Sequence, residues 1–294
     1  MKNVLVVGSL NMDYTMYVDE FPLKGETIYG KSRFIQPGGK GENQAVAIAK
    51  SKKVICHMIG AIGNDNDGRD IQNVLNSNGV ISHLITKIDS ETGNATITVD
   101  SHSENEIIII AGANGLLSPN DIDTKLIADA DYIVLQNEIP QETNEFVAKL
   151  AHKLGKTVIY NPAPYRNVNS SFFAYVDFFV PNEVELSKYA NEENIDKAIM
   201  TMLSQGVKNV LVTLGTKGSK LVNKDETIVQ DCYKVKAIDT VAAGDTYVGY
   251  FVSSIAAGMS IKEAMDKASK ASSITVSRKG SVISIPNGDE VYEK

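Results

Sequence analysis

A chain of 294 residues with 43% hydrophobic and 22% charged side chains suits one large α/β domain, or a large domain carrying a small one. Its core needs no disulfide or metal to hold it. The formal net charge of −7, without any dense Lys/Arg block, excludes a sequence-independent grip on nucleic acid. The longest apolar stretch, residues 107–111, is far short of a membrane span, so neither nucleic acid nor lipid is an expected partner.

The chain opens with VLVVGS, a compact apolar run ending at Gly8 that reads as a buried strand. It is too short, and too soon followed by polar Asn11 and Asp13, for a secretion signal. Cys56 and Cys232 form no CxxC pair, which points to two reduced, buried thiols in a cytoplasmic protein. Residues 14–35 and 94–111 look like short strands joined by polar turns, and no good helix fits them. These two excursions build either a small β appendage or extra strands on the edge of a main sheet.

From residue 132 onward strands and helices alternate. YIVLQ is a strand, and 141–154 is a helix with Phe146, Val147, Leu150, Ala151 and Leu154 on one face. Gly155 stands where a left-handed cap belongs, and TVIY is the next strand. DFFVPN and KNVLVTLG repeat the pattern, with helical segments from Val184 and Ile195. Strands separated by amphipathic helices predict a doubly wound, mostly parallel sheet with helices on both faces. Two helices follow, over 243–257 and from a Ser260/Glu263 capping box to about Val276.

Four places carry chemistry. In DTVAAGDTYVGYF (239–251), small Ala242, Ala243 and Gly244 stand before a helix with Asp245 in its first turn. Unpaired N–H groups at such a helix start point at an anion. The carboxylate either complements the helix dipole, worth about 0.3–1 kcal/mol, or takes a proton from an attacking hydroxyl. GGKGENQA (38–45) is a Gly-rich loop that opens a helix and leaves room for a ligand, or merely starts that helix. Asn11 and Asp13, just after the first strand, form an Asx turn or hold vicinal hydroxyls at a strand's carboxyl end. Asn182 and Glu185, three apart at a helix start, are a charged cap or two groups facing one pocket. No GxxxxGK[ST], HExxH or GxSxG occurs, and His57, His83, His102 and His152 are scattered, so all four read as structural or surface residues.

Taken together, GSLNMD, GETIYG, GGKGENQA, AGAN, YNPAP, PNE and DTVAAGDTYVGYF resemble the ribokinase-like (PfkB) carbohydrate kinases along essentially the whole chain. GETIYG, AGANGLLSP and YNPAP resemble its ribokinase branch in particular. The resemblance implies a catalytic domain of residues 1–13, 36–93 and 112–294 with a β lid of 14–35 and 94–111 that pairs with another lid in a homodimer. It implies transfer of phosphate from ATP to O5 of D-ribose, with Asp245 as base and Ala242, Ala243 and Gly244 as anion hole. Asn11, Asp13, Gly39, Lys40, Asn43 and Glu138 would hold the sugar. Asn182 and Glu185 would position Mg2+ and the phosphates through water.

In VTLGTKG, Thr213 and Gly215 match the family's nucleotide loop, and Lys217 is a loop lysine within reach of a phosphate or of solvent. SRKGSVISIP (277–286) resembles the monovalent-cation loop; K+ would meet Asp239, the carbonyls of Val241, Thr275, Arg278 and Gly280, and the Ser284 hydroxyl. Two departures stand out: Glu42 where Ala is common, expected to be harmless at a helix start, and an adenine-flanking Asn replaced near Ser269. The same chemistry on deoxyribose, fructose or a nucleoside, and a non-catalytic sugar-binding protein, are the rival readings.

Overall fold

The structure, a computed structural model, describes residues 1–102 and 104–293. Ser103, in the second expected lid excursion, and Lys294 lie outside the described residues. The strands run β1 (Asn3–Val7), β2 (Asn11–Tyr17), β3 (Ser32–Gly38), β4 (Ile55–Gly63), β5 (Ile81–Lys87), β6 (Gly93–Val99) and β7 (Asn105–Ile110). After them come β8 (Tyr132–Leu135), β9 (Thr157–Tyr160), β10 (Phe178–Phe179), β11 (Asn209–Thr213), β12 (Ser219–Asn223) and β13 (Thr227–Gln230). The helices are α1 (Lys40–Lys50), α2 (Asn66–Ser77), α3 (Thr124–Asp129), α4 (Gln141–Lys153), α5 (Glu183–Ala190), α6 (Ile195–Ser204), α7 (Ala243–Ala256), α8 (Ile261–Val276) and α9 (Gly288–Tyr292).

Nine strands form the main sheet in the order β13-β12-β11-β10-β9-β8-β1-β4-β5. It is parallel from β5 across to β11 and turns antiparallel at β12 and β13. The expected doubly wound sheet is therefore what forms. In central β1, Val4, Leu5, Val6 and Val7 are all fully buried. The two-residue period sends Val4 and Val6 to the face packed by α1, α7 and α8. Leu5 and Val7 go to the face packed by α4 and α6. Emptying one such position, as in Leu5→Ala, costs about 2–5 kcal/mol.

Local signals set the helix ends. Gly155 after α4 has φ 69°, and Ser260 with Glu263 caps α8 reciprocally. Residues 55–87, for which the sequence pattern sets no element, supply β4, α2 and β5.

The two excursions form a separate four-stranded sheet, order β3-β2-β6-β7, and do not extend the main one. It is wider than 14–35 and 94–111, because β2 starts at Asn11, β3 ends at Gly38 and β6 starts at Gly93. The cysteine expectation needs a correction: Cys56 is buried, but Cys232 is half-exposed, on the loop after β13. His57 and His83 stack across β4 and β5 with their ring nitrogens 3.1 Å apart. No helix among the described residues is long and apolar enough to cross a membrane.

Candidate active site

After β1 the chain proceeds to β4 and β5 on one side, then returns to place β8 on the other. A crevice opens where strand order reverses, beyond the carboxyl ends of those strands. Ser9, after β1, bridges it by donating its Oγ–H to Glu138 Oε2, after β8, at 2.6 Å. The same carboxylate oxygen accepts the Lys40 N–H at 2.9 Å. Gly39 takes φ 91°, a conformation natural to glycine, and a Cβ there would stand 3.1 Å from the Asn11 nitrogen. These contacts seat the start of α1 in the crevice.

Asn11 and Asp13 reach the crevice from the small sheet, on β2, and not from the end of a main-sheet strand as the sequence suggested. Asn114 donates to Asn11 Oδ1 at 2.8 Å and clasps the Leu10 backbone at both ends. Asp13 is buried, and burial, then the charges of Glu138 and Asp245, push its pKa up to about 7. Glu42 is not a solvated helix-start residue: it is fully buried and neither carboxyl oxygen has a partner among the described residues. Burial, then Asp13, hold its pKa well above the usual range.

Beyond these lies a cavity of about 330 Å³ lined by Lys40, Asn182, Glu185, Thr213, residues 240–245 and neighbouring parts of β9 to β11. Burial opposes the Lys40 ammonium, but Asp245, Glu138 and Glu185 together raise its pKa, so it stays charged. Asn182 and Glu185 form the reciprocal cap that the plain reading expected, at 2.8 and 2.9 Å. They also line the cavity, so the cap leaves both side chains beside it. Burial raises the Glu185 pKa against the pull of the Asn182 N–H and Lys40.

Asp245 is buried at the junction of the crevice and the cavity. Asn43 donates to its Oδ2 at 3.1 Å and Gln44 to its Oδ1 at 2.9 Å. Ala242, the N-cap of α7, adopts φ 59°, unusual for a residue with a Cβ. Ala243 spends its N–H on the Thr240 carbonyl at 3.3 Å. The Ala242, Gly244 and Asp245 N–H groups find no acceptor among the described residues. The free donors are thus Ala242, Gly244 and Asp245, rather than the expected 242–244. Space beside Gly244 is open, as an approaching anion requires.

Other expected residues lie outside the cavity lining. Gly215 is exposed in the turn after β11, and Ser269 is buried on α8, donating to the Asp231 carbonyl at 3.2 Å. Lys217 is exposed, 3.5 Å from Glu183. Asp239 joins two loops, accepting from Val241 N–H and Gly280 N–H, each at 3.0 Å. Thr275 O accepts the Arg278 N–H, and the Ser284 hydroxyl donates to Ser281 O. These groups bring only oxygens to one loop cluster, a donor set that fits a hard cation such as K+. Among the described residues no cluster of three or more His, Cys, Asp or Glu is placed for a metal.

Sequence reasoning missed Ser9, Gln44, Gln136 and Asn161. Gln44 and Asn161 stand inside GGKGENQA and YNPAP, while Ser9 closes VLVVGS and Gln136 closes YIVLQ. For Ser9 and Gln136, position at a strand's carboxyl end was the available signal.

The pfkB family carbohydrate kinase profile matches residues 1–288. The ribokinase of Schizosaccharomyces pombe is 38% identical over 99% of this chain and 97% of its own. The deoxyribokinase of Salmonella typhi is 34% identical over 99% and 98%. Among solved structures, the ribokinase of Thermotoga maritima superposes with a TM-score of 0.93 at 38% identity, covering 99% of this chain and 98% of that one. The ribokinase of Arabidopsis thaliana, solved with ribose and ATP, gives 0.92 at 32% identity over 99% and 98%. A doubly wound sheet, a glycine turn at its switch point and a buried Asp at a helix start with unpaired N–H groups thus meet a full-length match, and the chain belongs to the pfkB family of carbohydrate kinases. It is an ATP-dependent carbohydrate kinase of the ribokinase type of fold.

Proposed function

We propose that the chain phosphorylates D-ribose at O5, yielding ribose 5-phosphate and ADP. The observation that carries the reading is Asp245, buried beside the cavity of about 330 Å³ that Lys40, Asn182 and Glu185 line, with Asn43 and Gln44 holding its carboxylate. Asn11, Asp13, Gly39, Asn43 and Glu138 hold the sugar, with its O5 hydroxyl toward Asp245. Glu138 does so with one oxygen already committed to Ser9 and Lys40, so it also shapes the turn. ATP arrives with Mg2+ as the substrate complex, its phosphates facing Lys40, Asn182 and Glu185. The nucleoside extends toward Thr213, Gly215 and Ser269.

Asp13, Glu138, Glu185 and Asp245 make the site rich in carboxylates, with Lys40 as the cation among them. A bare polyphosphate would be repelled, which is why its charge must come neutralised by Mg2+. O5 attacks the γ-phosphorus as the bond to the β,γ-bridging oxygen breaks. The O5 proton passes to Asp245, and the free N–H groups of Ala242, Gly244 and Asp245 receive the developing charge. A bound K+ would supply positive charge behind that anion hole; Asp239 and its loop would hold it.

The small sheet acts as a lid that excludes water, and its exposed β7 face pairs with a second copy of the chain. Two free thiols and a need for ATP suit a cytoplasmic setting. The test is a panel of ribose, 2-deoxyribose, fructose and adenosine, scored by kcat/KM in an ADP-release assay. Ribose should lead by at least about tenfold, the discrimination one hydroxyl contact supplies. A lead for another acceptor would replace the substrate and leave the chemistry standing.

A further inference from the structure

We infer that Gln44 is a positioning residue for Asp245, locked in one orientation by Gln136 and Asn161. The inference rests on the reading of Asp245 as the proton acceptor. Successive residues of α1 pin both carboxylate oxygens of Asp245: Asn43 at 3.1 Å and Gln44 at 2.9 Å. A glutamine amide is useful there in one orientation alone. Turned over, it would set a carbonyl oxygen against a carboxylate.

The neighbours forbid that turn. The second N–H of Gln44 goes to Asn161 Oδ1 at 3.0 Å, and Asn161 is oriented by donating to the Val180 carbonyl at 2.8 Å. The oxygen of Gln44 accepts from Gln136 Nε2 at 2.8 Å. Gln136 is itself packed against Gly8, where a Cβ would overlap its Oε1. Every amide direction then follows from the backbone carbonyl at one end and the carboxylate at the other.

Gln136 Oε1 is buried without a partner among the described residues. Reversing Gln136 would place two acceptor oxygens face to face, so the unpaired oxygen marks where the directional chain ends. What the chain of amides secures is a fixed N–H on Asp245, which sets the plane of its carboxylate.

The test uses Gln44→Met and Gln136→Met beside Asp245→Asn. It reads kcat at saturating ribose and Mg-ATP, both KM values, and thermal stability. For Gln44→Met we expect kcat to fall about 10–100-fold while both KM values stay within about threefold. Gln136→Met, which removes no contact to Asp245, should lower kcat in the same way by roughly a third as much on a logarithmic scale. Folded variants with unchanged kcat would overturn the relay. If Gln44→Met does not fold, Gln136→Met decides alone. Full turnover in Asp245→Asn would instead remove the base, and the relay with it, whatever the glutamine variants do.

Discussion

Ser9 and Glu138, 129 positions apart in sequence, share a 2.6 Å hydrogen bond across the crevice where the main sheet reverses its strand order. Since the same Glu138 oxygen also receives the Lys40 N–H, this pair fixes the glycine turn from which α1 starts. Glu138→Ala should lower stability by about 1.5–3 kcal/mol, the range for hydrogen bonds to a charged group. It should also raise the KM for the sugar more than the KM for ATP. Thermal denaturation with both KM values checks this, and an equal rise in the two would show that Glu138 supports the site only through folding.

Asp13 titrates at about 7 in the folded chain, against an ordinary 3.8, chiefly because it is buried. The folded chain then binds a proton that the unfolded chain has released, so this group's contribution weakens stability as pH rises from about 4 to 7. Asp13→Asn should remove that slope and gain stability over the unliganded parent at pH 8, on the order of 4 kcal/mol at most. Sugar hydroxyls donating to Asp13 favour its ionised form, so sugar binding near pH 7 should release a proton. Calorimetry in buffers of different ionisation enthalpy would detect it, and heat independent of buffer would contradict the assignment.

Asp239 ties the Val241 and Gly280 loops together through both carboxylate oxygens. Replacing K+ by tetramethylammonium should lower kcat several-fold, with little change in the KM for sugar. Asp239→Ala should abolish the response to K+ while leaving a residual rate. A parent enzyme indifferent to K+ would remove the cation from the mechanism.

Strand β7 carries Ile107, Ile108, Ile109 and Ile110 at 53%, 67%, 54% and 45% exposure on the edge of the small sheet. Four exposed isoleucines on an open edge invite pairing with another sheet. We expect a dimer by sedimentation, dissociated by Ile108→Lys with Ile110→Lys. A monomeric parent would contradict the lid pairing.

Much of this was written locally. The four apolar residues of β1, the Ser260/Glu263 box of α8 and the small residues at the start of α7 announce their structure because each depends on near neighbours. Glu42 and Gln136 do not. Their meaning comes from burial and from partners on other strands, so in the sequence Glu42 looks like a surface acid and Gln136 like any polar residue ending a strand. The free N–H set at α7 shifted for a similar reason: the turn from Thr240 to Ala243 consumes one donor, and residue type alone does not reveal it.

The most direct measurement is ADP release from the parent and from Asp245→Asn with Mg-ATP, with and without D-ribose. We expect ribose-dependent turnover in the parent and a loss of about 10²–10⁴-fold in the variant, the scale of a positioned general base, with ribose still bound. Turnover in Asp245→Asn close to that of the parent would contradict the mechanism, and no ribose-dependent turnover in the parent would contradict the substrate.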